Sequence, residues 1–149
     1  MRRKSIRTFL QEHALGLASI AITATWIVLY SVSDDSKHLG SFFGNAIADW
    51  LGVVVTVFAT KYLYELGSSE SRQPPHKLLR PIWTFLVDHS LSIFLLLTGV
   101  AWVALYVSVD SESKWGQVVG NIVSEWTQIF GLVLLTKKLM EKRSKESEK

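Results

Sequence analysis

The chain contains no cysteine. That excludes disulfides, thiolate metal sites and thiol nucleophiles, and it leaves the cellular compartment open. Proline is nearly as scarce. All three prolines, at positions 74, 75 and 81, fall in the single stretch GSSESRQPPHKLLRP. The rest of the chain is free of that breaker, so long helices can run through it. No run of strand-type alternation is present, and a membrane barrel needs many such segments of about 10 residues. The usual catalytic patterns are missing too: no HExxH, no GxSxG, no glycine-rich phosphate loop, no Ser-His-Asp arrangement. The expectation is a protein that is not an enzyme and holds no metal or cofactor.

The most informative shortage is of charge. Four runs, 13–33, 39–60, 89–109 and 115–136, contain no lysine or arginine, and only Asp49 and Glu125 interrupt them with a charged group. Each is close to the ~20 residues that cross a bilayer's hydrocarbon core as a helix. The sequence therefore predicts an all-α, polytopic membrane protein with four transmembrane helices. The start, MRRKSIR before an apolar run, has the look of a signal peptide. No small-residue cleavage site follows in the right place, so a retained first helix is expected.

The chain also repeats itself. A shift of 76 residues, without a gap, lays Phe9 on Phe85, His13 on His89, Trp26 on Trp102 and Tyr30 on Tyr106. The same shift lays Gly40, Gly44 and Asn45 on Gly116, Gly120 and Asn121, and Asp49 on Glu125. Thr60 and Lys61 meet Thr136 and Lys137, while Ser68, Glu70 and Ser71 meet Ser144, Glu146 and Ser147. Each unit reads as a helical hairpin. Two crossings per unit keep both in the same orientation, so two tandem parallel repeats are expected. The first spans 1–71, with helices at about 13–33 and 39–66. A linker follows at 72–80. The second spans 81–149, with helices at about 85–109 and 115–142 and a charged tail.

Basic residues set the orientation. Fourteen of the 16 lie at the N-terminus, in the central connection or in the tail, and the two short hairpin loops hold one each, Lys37 and Lys114. By the positive-inside rule both termini and the linker are cytoplasmic. The net charge of +3 is modest and the tail is mixed in sign, which argues against a nucleic-acid partner and for the lipid bilayer.

The two intramembrane acids stand out. Asn45 and Asp49 are one helical turn apart, as are Asn121 and Glu125, and Gln128 extends the second stripe. From Lys61 back to Asp49 is 12 residues, or about 18 Å of helix, which places the carboxyl near the midplane. A later helix start would instead leave both acids in the outer headgroup region. Such a stripe belongs at a bundle interior, an oligomer interface or a water-filled path. The runs offer no counter-ion, so the acids are either protonated, in transit with a proton or cation, or paired with another subunit. Interhelical hydrogen bonding that only fixes packing is an equal competitor. Gly40, Gly44, Gly116 and Gly120 form small-xxx-small pairs expected at helix contacts. Trp26, Tyr30, Trp102 and Tyr106 sit near helix ends and are expected in an interfacial aromatic belt. His13 and His89 read as polar anchors at the opposite interface.

The region VSEWTQIFGLVLLTKKLMEKRSKES resembles a segment of small bacterial inner-membrane proteins. That segment has a Ser-Glu-aromatic-x-Gln start, an apolar run ending in Leu-Thr, and a Gly-Ser-x-Glu-Ser finish. Ser124, Glu125, Trp126, Gln128, Leu135 and Thr136 match it here, as do Ser144, Glu146 and Ser147, with Arg143 at the family's glycine. The first unit departs at Ala48, Asp49 and Trp50 and keeps GSSES. The resemblance covers chiefly the second and fourth helices and implies a bacterial inner membrane, with no activity attached. Two functions stand as expectations. One is an oligomeric channel, transporter or proton/cation-coupled module using Asp49 and Glu125. The other is a non-transporting accessory or scaffold, a homo-oligomer or the companion of a partner membrane protein.

Overall fold

The computed structural model describes residues 6–74 and 81–139. Among them it is all-helical. The helices are α1 (Ile6–Glu12), α2 (Ala14–Val32), α3 (His38–Tyr62), α4 (Pro81–Asp88), α5 (Ser90–Ser108) and α6 (Lys114–Leu135). Four of these, α2, α3, α5 and α6, are long and apolar enough to cross a membrane. Their hydroxyls do not interrupt them. Ser19, Thr23, Thr60 and Thr98 each donate to a carbonyl three or four residues back, on Gly16, Ser19, Thr56 and Phe94. A hydroxyl satisfied by its own helix can sit in hydrocarbon.

α3 and α6 pack together at the centre, with α2 against α3 and α5 against α6. The core is thin. Ile47, Ala48, Val118 and Ile122 lie in the middle of the bundle, Trp126 packs between α6 and α5, and Ala59, Leu91, Leu95 and Val133 fill the linker end. At most 33% of any span's apolar window is buried. Val32 and Val107 are 80% and 79% exposed. An apolar exterior on this scale suits lipid contact and not water.

Each hairpin turns through the same device. Asp34 and Asp110 accept backbone bonds from Lys37 and Ser113 at 3.2 and 3.1 Å. A β-carbon on Gly40 would lie 2.0 Å from the Asp34 carbonyl oxygen, and one on Gly116 would lie 2.0 Å from that of Asp110. The obstacle is backbone, which cannot swing aside. Gly116→Ala should therefore lower stability by about 1–3 kcal/mol, the cost of overpacking a tight site. Apparent Tm in one detergent measures this. Gly131→Ala, where a β-carbon meets nothing within 4 Å, should be neutral.

The helix ends differ from the sequence expectation. α3 stops at Tyr62 and not near 66, and α6 stops at Leu135, short of 142. The cause at α3 is tertiary. Tyr64 is drawn off the helix axis by bonds to Ser90 and Leu91 of the second hairpin. His13 and His89 mark matching breaks at the opposite ends of α2 and α5, with φ near −120° in both. Parts of the expected linker and the charged tail, with Ser144, Glu146 and Ser147 of the matched finish, lie outside the described residues.

Candidate functional site

The two polar stripes meet. Asn45 and Asp49 on α3 face Asn121 and Glu125 on α6 along the central helix contact. The Asn121 amide donates to the Asn45 side-chain oxygen, joining two positions 76 residues apart. Gln128 donates to Glu125 at 3.3 Å. A β-carbon on Gly52 would lie 3.4 Å from Glu125 Oε2 and 3.4 Å from Ile129. Gly52 is therefore the small residue that lets the Glu125 carboxyl lie against α3.

This seam runs along the outer edge of the central pair and not inside the bundle. Asn45, Asp49 and Gln128 are exposed, and Asn121 and Glu125 are half-buried. The inward faces of the same helices carry the core residues Ala48 and Ile122. Among the described residues no lysine, arginine or histidine pairs with Asp49 or Glu125.

The glycine pairs do something other than join α3 to α6. Gly44 and Gly120 each seat a tyrosine of their own hairpin, since a β-carbon there would lie 3.0 Å from the ring of Tyr30 or Tyr106. Gly40 and Gly116 serve the turns described above. The aromatic residues divide. Tyr30 is 1% exposed and faces protein, because its hydroxyl donates to the Lys114 carbonyl and its ring meets Trp115 edge-on. Tyr106 is 41% exposed at the matching place. Trp26 packs on Phe42 and Phe43, and Trp102 packs on Trp126. Trp126 in turn donates to Thr98 at 2.8 Å.

A second polar centre lies at the linker end, and its key residue has no place in the sequence reading. Glu65 is fully buried. Its Oε1 accepts from Lys137 Nζ at 2.5 Å and from His89 Nδ1 at 2.7 Å, and its Oε2 accepts from the Ser92 backbone at 3.2 Å. Burial alone would raise its pKa. The hydrogen bonds from Lys137, His89 and Ser92 together outweigh that and hold the carboxyl below its usual range. Around it, Leu66 donates to the Asp88 carbonyl at 2.7 Å, and Ser68 and Thr136 share a hydroxyl bond of 2.9 Å. The segment 64–71, leaving the first hairpin, is thus clamped onto the second. The shift of 76 carried the signal: Glu65 follows Lys61 by four residues, as Glu141 follows Lys137.

The first hairpin carries the same two basic residues in a different setting. Lys61 Nζ lies 3.1 Å from His13 Nδ1. No group of three or more metal-ligating side chains occurs among the described residues.

Comparison with family models, with curated proteins and with solved structures returns no match.

Proposed function

We propose that the protein is a small multi-pass membrane protein that works as an oligomer, with the Asp49–Glu125 seam as a proton- or cation-handling surface enclosed between copies. The carrying observation is that Asp49 is exposed in the single chain while sitting inside a membrane-length helix. A charged aspartate facing lipid at a helix centre costs about 2.5–3.5 kcal/mol on insertion scales. A second copy presenting its own seam removes that exposure and brings further carboxyls and amides together. Four helices leave little room for a private path, so a shared one fits the chain's size. The distribution of basic residues supports cytoplasmic termini and linker. The resemblance in the α6 region supports a bacterial inner membrane.

One observation favours the second reading, an accessory or scaffold protein. The Asn45–Asn121 bond is what packing glue looks like. Flux in liposomes separates the two. The parent should carry protons or cations, and Asp49→Asn/Glu125→Gln should assemble normally yet lose that flux. The amides keep shape and hydrogen bonding and remove ionisation. Equal flux in the two proteins, or none in the parent, rejects the transport reading and leaves the scaffold.

A further inference from the structure

The clamp on Glu65 has a counterpart for which the described residues supply no matching carboxylate. The groups that hold the segment 64–71 are His89, Ser92, Thr136 and Lys137. Shifted by 76, these are His13, Gly16, Thr60 and Lys61. All four line one cavity of about 840 Å³ between α2 and α3, open at the linker end. Its floor is apolar, with Leu17, Val57 and Phe58, and its rim is charged.

The clamped segment has a counterpart as well. Glu65, Ser68 and Ser71 correspond to Glu141, Ser144 and Ser147 in the C-terminal tail. Both receptor and occupant are thus repeated in sequence, while the clamp is observed once. We propose that the chain's own C-terminal segment, residues 140–149, docks in this cavity, with Glu141 on Lys61 and His13 and Ser144 on Thr60.

Reach favours the same chain over a second copy. Thr136, at the end of α6, is bonded to Ser68, and the next residues of that loop, Ser69 to Arg72, line the cavity wall. The tail therefore begins beside the cavity it would fill. Charge agrees: Lys142 and Arg143 follow Glu141, and Glu12 and Glu70 stand on the cavity lining. Carboxylate docking also suits the basic pair chemically. An arriving Glu141 gives Lys61 an anionic acceptor, as Glu65 gives Lys137, and lets His13 donate as His89 does. The correspondence has one gap. Ser90, whose hydroxyl accepts from the Tyr64 backbone at 2.8 Å, is replaced by Ala14, so one bond of the observed clamp has no twin.

The absence of cysteine makes the test direct. In the full chain in nanodiscs, Thr60→Cys/Ser144→Cys should form an intramolecular disulfide under mild oxidation. The control Ser68→Cys/Thr136→Cys, whose hydroxyls are 2.9 Å apart, should do the same. Adding Glu141→Lys should cut the Thr60/Ser144 yield several-fold and leave the control pair unchanged. Interchain dimers would overturn the proposal in favour of a second copy's tail, and no disulfide at all would overturn it outright. A second measurement avoids the double variant. Thr60→Cys alone should resist a water-soluble maleimide in the full chain and become labelled once residues 140–149 are removed. Protection that survives the truncation points instead to another occupant, a lipid headgroup included, and rejects the tail.

Discussion

Glu65→Leu should release the segment 64–71 from the second hairpin and destabilise the protein by about 3–5 kcal/mol. That is the usual cost of removing one partner from a buried ion pair. The size follows from what is stranded. Lys137 and His89 each lose their contact with the buried carboxylate, and the Ser92 backbone loses its acceptor. Glu65→Gln should cost less, since an amide oxygen still accepts while the charge is gone. The same site makes stability depend on pH. The folded protein holds this carboxyl below its usual range, so the ionised form is the one the fold favours. Its contribution is complete above the ordinary glutamate value of about 4.3 and is lost as pH falls through the lower folded value. Apparent Tm followed from pH 7 downward should fall in that acidic window for the parent. The drop should be smaller in Glu65→Gln, which has no proton to take up.

Asp49→Leu/Glu125→Leu should weaken assembly in lipid far more than the paired amides do. Leucine removes the acceptor of the Gln128 amide and leaves the Asn45–Asn121 bond as the seam's remaining polar contact. Interhelical hydrogen bonds in membranes are each worth about 0.6–2 kcal/mol, so a single change can pass unnoticed and the double change is the informative one. Leucine also makes the exposed face of α3 fit for lipid, which removes the reason for a second copy to cover it. Single-molecule subunit counting in native-like lipid should show the parent and the amide pair as the same oligomer. The leucine pair should shift towards single chains. An unchanged count for the leucine pair means that assembly does not run through this seam.

Spans and turns were legible because they depend on local composition. Uncharged runs of helical length give α2, α3, α5 and α6, and the serine- and aspartate-rich stretches between them give the two hairpin loops. The seam was legible for a related reason: Asn45, Asp49, Asn121 and Glu125 are conspicuous in apolar surroundings. Which side of the bundle they occupy was not, because helical spacing fixes a shared face and leaves open what that face meets. The glycines show the same limit. Their spacing announces small faces, yet Gly44 receives Tyr30 of its own hairpin and Gly40 a loop carbonyl. Tyr30 reads as an interfacial aromatic from its place near a helix end. Its partner is the Lys114 carbonyl, 84 residues away, which no local pattern announces. Glu65 was hidden by its neighbours. A carboxylate just past an apolar run, among serines and other charges, reads as solvated. Only its repetition at Glu141 sets it apart.

The proposed enclosure of the seam between two copies is tested most directly by one cross-link. Ser41 is exposed, lies one turn from Asn45 on the same helix face, and would be the only cysteine position in the chain after Ser41→Cys. In lipid under mild oxidation this variant should give a covalent dimer if, as proposed, two copies bring their seams together. Val28→Cys, on α2 and 62% exposed, should remain a single chain. A Ser41→Cys protein that stays monomeric, or a dimer that forms through position 28 instead, would contradict the account.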